Sequence, residues 1–315
     1  MYILGFDIGG TKCAVITAYW NGDHITILKK EKCDTDHGIT GDEMVEKLIS
    51  IADGIIDRAP DRIGVSCGGP LDAAAGIIVN PPNLPRWKNV PIIGMLQTHY
   101  GVKACLQNDA NACAVAEWKF GAGKGCDNMA FLTFGTGLGA GLILGGRLYE
   151  GTNGNAGELG HIRLADDGPK GYGKNGSFEG FCSGGGIAKL GYQMALQAVE
   201  KGVRPMYFRE GMTEQDVSAK SIAAAAKLGD PTAMEVYRTS GSYLGKGLSV
   251  LMDILNPQRI IIGSIFTRDR ALLWDAMKAE IDMEALAQTA SCCQIVPSVL
   301  GEEIGDYAAV ATALL

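Results

Sequence analysis

The sequence is short of several features that would place it quickly. It has no CxxC or CxC pair, no block of like charges, and only 11 prolines in 315 residues. The nine cysteines are odd in number and irregularly spaced, which excludes a disulfide framework and reads as reduced thiols of a cytoplasmic protein. Most are expected to be small buried apolar groups, with the adjacent Cys292 and Cys293 on opposite sides of a strand. The opening residues, MYILGFDIGG, lack a basic segment, and Asp7 interrupts their apolar run, so a signal peptide is not expected. A net charge of −7 without a basic cluster argues against a nucleic-acid partner. One stretch, Met129 to Gly146, carries no charge, but its six glycines and period-two rhythm suit strands and a tight turn, and no membrane span is expected.

What is abundant is glycine, at 44 of 315 residues, about twice the usual roughly 7 %. It does not recur every third residue, which excludes collagen. With 47 % hydrophobic and 20 % charged residues the chain is globular, and its length suggests about two domains.

Hydrophobic periodicity predicts strands over Tyr2–Ile8, Ala14–Tyr19, Ile25–Leu28, Arg62–Cys67 and Val102–Gln107. Helices are predicted over Asp42–Arg58 and Asn111–Phe120, with a turn-rich Gly68–Arg86 between. The pattern then restarts with strands at Met129–Phe134 and Ala140–Leu144. A Gly-rich loop, Glu150–Ser183, precedes helices near Gly186–Lys201, Asp216–Lys227 and Pro231–Leu255. Strands at Arg259–Ile262 and Gln294–Pro297 and helices at Arg270–Ile281 and Tyr307–Leu315 complete the chain. Phe6–Ile16 (FDIGGTKCAVI) and Leu132–Leu142 (LTFGTGLGAGL) align without a gap, suggesting two similar halves, each opening on a glycine-turn hairpin. The expected class is α/β with mixed sheets.

Four motifs carry chemistry. In Asp7-Ile8-Gly9-Gly10-Thr11-Lys12, a turn without Cβ atoms lets backbone N–H groups approach phosphate oxygens. Thr11 adds a hydroxyl, Lys12 a charge, and Asp7 a carboxylate for hydrated Mg²⁺. A plain glycine hairpin with a chance Asp would read the same. Gly135-Thr136-Gly137 is the second such turn, and two at matching positions point to a phosphate tail held between hairpins. Asn108-Asp109 lies where a strand meets a helix; the residues read equally as a helix cap or as a base for an acceptor hydroxyl. Glu158 and His161, in a glycine-rich loop, suit adjacent hydroxyls of a polyol or an ordinary loop surface.

These four motifs, in this order and supported by PPNLPRW (81–87), NDANACAVAE (108–117) and LYEGTNGNAGELGHI (148–162), resemble the ROK family of sugar kinases and regulators. The resemblance implies two actin-like ATPase (ribonuclease H-like) lobes with an interlobe cleft. Residues 1–120 would form the small lobe, 121–300 the large lobe with an oligomerisation surface, and 301–315 a helix returning to the small lobe. It implies ATP-dependent phosphorylation of a hexose, with glucose at C6 as the commonest case, and Asp109 as general base. Gly69, Asn83, Asn108, Glu158, His161 and Glu179 would contact sugar. Gly9, Gly10, Thr11, Lys12, Gly135, Thr136, Gly137 and Gly263 would hold the nucleotide, with Asp7 facing Mg²⁺. A homodimer or homotetramer is implied.

The sequence departs from the family in four places, one of them Gly68, where the family often has proline. The family's zinc run, C-x-C-G-x-x-G-C-x-E, reads here with Lys170, Tyr172 and Ser177 at the cysteine positions. His161 alone cannot complete a four-ligand site, so no structural zinc is expected. Ser264-Ile265-Phe266 replaces further glycines, and Gly305-Asp306-Tyr307-Ala308 stands where small apolar residues are usual. Alternatives are a kinase for N-acetylglucosamine, N-acetylmannosamine, fructose, allose or a β-glucoside, or a sugar-binding regulator without kinase activity. A DNA-binding repressor is not expected, because the hairpin begins at residue 2 without a preceding recognition helix.

Overall fold

Alternation along the first strand sets the architecture of the N-terminal region in the computed structural model, which describes all 315 residues. In β1 (Tyr2–Ile8), Leu4, Phe6 and Ile8 face one side and Ile3 the other. Strands β2 (Lys12–Trp20) and β3 (Ile25–Asp34) follow antiparallel. Helix α1 (Gly41–Ile55) leads to β4 (Arg62–Cys67), and α2 (Ile92–Tyr100) to β5 (Ala104–Asn108) and α3 (Asp109–Phe120). The sheet order is β3-β2-β1-β4-β5, with β1, β4 and β5 parallel. Met44 and Leu48 of α1, Trp87, and Leu96 of α2 cover the Phe6 face.

The second half repeats this plan. Strands β6 (Met129–Phe134), β7 (Leu138–Leu144) and β8 (Arg147–Tyr149) are followed by α4 (Phe178–Phe181), α5 (Gly184–Glu200), α6 (Ala219–Lys227) and α7 (Pro231–Leu255). Then come β9 (Arg259–Ile262), α8 (Ile265–Glu284), α9 (Ala287–Cys292), β10 (Gln294–Pro297) and α10 (Ile304–Thr312). The sheet order β8-β7-β6-β9-β10 is that of the first sheet shifted by five, again with the last two strands parallel to the opening one. The weak internal match between the two glycine turns therefore marks a repeat of topology.

By contacts the chain forms two compact units: Met1–Cys126 with Gly141–Ala156 and Val299–Leu315, and Asp127–Ala140 with Gly157–Ser298. In the first unit, Ala309 and Val310 of α10, with Ala313 just beyond it, cover the sheet face that carries Ile3, Ala14 and Ile16. No helix is long and apolar enough to cross a membrane. The uncharged Met129–Gly146 stretch forms β6 and β7 and the turn between them.

Several elements differ from expectation for local reasons. Helix α1 starts one residue early, because Thr40 and Glu43 form a capping box, and ends at Ile55, where the chain turns extended. Helix α2 is an addition to the predicted elements; Pro91 sits at its N-cap and Gly101 closes it at φ +68°. Strand β3 runs to Asp34, as its pairing with β2 continues past the predicted end. The predicted Asp216–Lys227 helix divides into a turn at Glu214–Asp216 and α6, which Ser218 caps. Helix α8 begins five residues early, with a kink at Asp269. Cys292 ends α9 and Cys293 caps it, so the two thiols are not on a strand.

Candidate functional site

In the first unit the predicted phosphate turn is a tight one. The Gly9 N–H donates to the Lys12 carbonyl at 3.1 Å, and the Thr35 hydroxyl donates to the Gly9 carbonyl at 2.7 Å. Thr11 and Lys12 are exposed. A Cβ on Gly10 would lie 2.6 Å from the Asn83 Cβ, so only glycine lets this turn and Asn83 come together.

Asn108 and Asp109 share the head of α3. Asn108 is the N-cap, and its Oδ1 accepts from the Ala110 N–H at 3.0 Å. Asp109 is the first helical residue, and its Oδ1 accepts from the same N–H at 2.8 Å. The cap reading thus holds for Asn108, while the other oxygen of Asp109 stays free, 3.9 Å from where a Gly68 Cβ would stand. A Gly69 Cβ would lie 3.4 Å from the Asn108 Nδ2, which places Gly69 beside the pair. The Asp109 carboxyl lies above the ordinary carboxylate range because protein mass around it desolvates the charge; the Ala110 N–H opposes this. Its side chain is nonetheless open to solvent, and that access limits the rise.

Sequence reasoning missed the polar support beneath. The buried Gln107 side chain accepts from the Asn108 N–H at 2.8 Å and the Asn111 amide at 3.1 Å, and donates to Glu150 at 2.9 Å. Gln107, at a strand end, was the available signal. The Oδ1 of Asn111 is buried without a partner.

Asp7 is the last but one residue of β1, on the face covered by α10. Its carboxyl is pushed up to about 6, chiefly by burial, then by the charges of Asp306 and Asp109, with Lys30 and Lys32 opposing. The carboxylate accepts no hydrogen bond from the protein.

In the second unit, the Gly135 N–H donates to the Gly137 carbonyl at 3.1 Å, one residue nearer than the carbonyl of Lys12 that the Gly9 N–H reaches in the first turn. The Gly184 N–H, at the start of α5, donates to the Gly135 carbonyl at 2.7 Å. Glu179 on α4 spends one oxygen on the Leu138 N–H at 3.1 Å, tying its helix to this hairpin. Gly263 is buried beneath the Phe131 ring. The next residue, Ser264, takes φ +52° and ψ −109°, a region that favours glycine, and stands where the family resemblance implied one. Glu158 is exposed and its side chain caps nothing.

The loop around His161 is held by hydrogen bonds. The Lys174 ammonium donates to the His161 carbonyl at 2.6 Å, and the Leu164 N–H to the Gly176 carbonyl at 2.8 Å. The residues at the three cysteine positions have other tasks. The Lys170 carbonyl accepts from Lys189 at 2.8 Å, and the Tyr172 ring packs edge-on against His161, with centroids 4.8 Å apart. Ser177 caps α4, accepting from the Gly180 N–H at 3.1 Å. Gly176, at φ +64°, would carry a Cβ 2.0 Å from the Ala165 carbonyl oxygen, so close backbone packing accounts for this glycine. No group of three His, Cys, Asp or Glu side chains is placed to hold a metal.

Each unit thus gathers its own share of the predicted residues. Gly9–Lys12, Asn83, Gly69, Asn108, Asp109 and Asp7 fall in the first, and Gly135–Gly137, Glu158, His161, Glu179 and Gly263 in the second.

A family model described as the ROK family matches residues 3–314. The glucokinase of Streptomyces coelicolor is 31 % identical over 277 residues, covering 87 % of this chain and 85 % of that one. The xylose repressor of Bacillus subtilis is 29 % identical over 241 residues, covering 76 % of this chain and 57 % of the repressor. A solved ROK family glucokinase from Streptomyces griseus, in complex with glucose and AMPPNP, is similar with a TM-score of 0.78 at 29 % identity, over 100 % of this chain and 99 % of that one.

Proposed function

The chain belongs to the ROK family, and on that premise we propose that it is an ATP-dependent sugar kinase whose acceptor is a hexose, with the C6 hydroxyl of glucose as first choice. Its two sheets of matching strand order have the actin-like ATPase fold. The observation that carries the reading is Asp109: a carboxylate at a strand end, fixed through one oxygen by the Ala110 N–H and free at the other.

In the proposed reaction a sugar hydroxyl oxygen attacks the γ-phosphorus of ATP, and the bond to the ADP oxygen breaks. The free Asp109 oxygen takes the hydroxyl proton and later returns it to water. The raised pKa of Asp109 brings its basicity closer to neutral pH, and the α3 N-terminus favours its charged form before the proton arrives. Phosphoryl transfer relies mostly on positioning. Asn108, held by Gln107, with Gly69 and Asn83 orients the sugar in this reading, together with Glu158, His161 and Glu179. The two glycine turns and Gly263 receive the nucleotide. The carboxylate of Asp7, without a hydrogen-bond partner, fits a hydrated Mg²⁺, which when bound neutralises phosphate charge. The loop around His161 is proposed to keep its shape without zinc.

The test is ADP release over a panel of glucose, N-acetylglucosamine, N-acetylmannosamine, fructose, allose and a β-glucoside, alongside Asp109→Asn. Turnover is expected to fall roughly 10²- to 10⁴-fold in the variant with sugar binding retained. Near-normal turnover in Asp109→Asn would sink the base assignment. The relative that is a repressor supports a second reading, a sugar-binding regulator. Sugar binding by the parent chain without any ADP release would favour it.

A further inference from the structure

Asp306 is the least expected residue in the first unit, a carboxylate in the first turn of α10 where the family resemblance implied an apolar side chain. It is 5 % exposed and ion-pairs with the Lys30 ammonium of β3. Both border a cavity of about 120 Å³ that is also lined by Asp7, Lys12, Lys32 and Gly305. Asp7 lies opposite Ala14 and Ala14 opposite Lys32, so Lys32 and Lys30, two residues apart, share the Asp7 face of the sheet. Ala14 is the one residue between Asp7 and Lys32 across the strands, and Lys30 lies opposite Ile16, the next residue on that face. A Cβ on Gly305 would meet the Asp7 Oδ2 at 2.7 Å, so the head of α10 closes directly over that carboxylate. Asp7 nevertheless has no hydrogen-bond partner, while the nearby Lys30 is taken by Asp306.

An ammonium beside a partly buried, unpartnered carboxylate pairs with it unless a better partner is at hand. We propose that Asp306 is a positioning residue that draws the Lys30 ammonium away from Asp7 and so keeps the Asp7 carboxylate open to a divalent cation. The inference rests on the kinase reading above and concerns this chain's own residues. In Asp306→Asn the partner charge is lost, Lys30 swings to Asp7, and the cation must then displace an ammonium.

Calorimetric titration with AMPPNP, in the presence and absence of Mg²⁺, reads this without turnover. The quantity is the ratio of the two Kd values. In Asp306→Asn the tightening by Mg²⁺ is expected to shrink roughly three- to tenfold, the worth of one partly exposed ion pair, while Mg²⁺-free binding changes little. The double variant Asp306→Asn with Lys30→Met removes the competitor and is expected to regain the parent ratio. Lys30→Met alone is expected to keep it, which provides a test should Asp306→Asn fold poorly. An unchanged ratio in Asp306→Asn, no recovery in the double variant, or a lost Mg²⁺ effect in Lys30→Met would each overturn the proposal while the kinase reading stands. Failure of the parent chain to bind AMPPNP at all would overturn both.

Discussion

Glu117 offers the sharpest test of how the first unit is held together. It lies on α3 with no solvent exposure. Its Oε2 accepts from the Ala122 N–H at 2.7 Å, and its Oε1 accepts from the Val299 and Leu300 N–H groups at 3.1 and 3.2 Å. One carboxylate thus fastens the segment that leaves α3 to the segment that leads into α10. A hydrogen bond to a charged group contributes about 1.5–3 kcal/mol, so three such bonds set a ceiling well above 4 kcal/mol. Two effects lower it. Glu117→Ala also removes the desolvation cost of the carboxylate, and the N–H groups of the half-buried Ala122 and Leu300 and the exposed Val299 regain some water. A loss of about 3 kcal/mol is expected for Glu117→Ala. Glu117→Gln keeps one carbonyl oxygen for Val299 and Leu300 but turns a donor toward Ala122, and about 1–2 kcal/mol is expected. Urea unfolding followed by tryptophan fluorescence is the assay, because Trp20, Trp87 and Trp118 all belong to the first unit. A loss below 1 kcal/mol in Glu117→Ala, or equal losses in the two variants, would refute the reasoning.

Three other outcomes are expected. Ser264→Gly relieves a backbone at φ +52° that serine tolerates poorly, and Ser264 caps nothing, so a gain of about 1 kcal/mol and a Tm about 2 °C higher are expected by calorimetry; a lower Tm would contradict this. The Asp7 pKa, pushed from 3.8 to about 6, means that the folded chain binds this proton more tightly than the unfolded one. Its ionisation therefore costs stability above pH 6, and the cost fades as pH falls toward 4. In metal-free buffer Asp7→Asn is expected to be more stable than the parent by about 1–3 kcal/mol at pH 7.5, with no gain at pH 4; a gain that persists at pH 4 would point to another cause. Ser177→Ala removes the buried cap of α4 and is expected to cost about 1–2 kcal/mol, with no recovery on adding zinc; one equivalent of zinc per chain by elemental analysis would overturn the account of this loop.

Much of the plan was legible because it rests on local rules. Strand alternation located nine of the ten strands at least in part, β8 being missed as too short and β3 extended by its partner. The α2 helix stayed hidden, since Pro91 and Gly94 are turn signals until a helix cap and an apolar core give them other meanings. The two glycine turns were readable because a Cβ-free turn has few other uses, and in each the N–H of the first glycine bonds a carbonyl two or three residues on. Gln107, Glu117 and Asp306 were not legible as support. A buried polar side chain is defined by partners distant in sequence, here Glu150, Val299 and Lys30.

The sequence alone determined the repeat, the glycine turns, the candidate base and the missing cysteine ligands, because each is a property of residue type and short-range spacing. Tertiary structure decided what those residues face. It assigned Ser177 to a helix cap and Tyr172 to the His161 ring, where a cysteine count shows only absence. It turned an out-of-place Asp306 into the partner of Lys30, and left Asp7 with no hydrogen-bond partner. Hydrogen bonds and ion pairs act over a few ångströms, and only folding brings residues 276 positions apart to that distance.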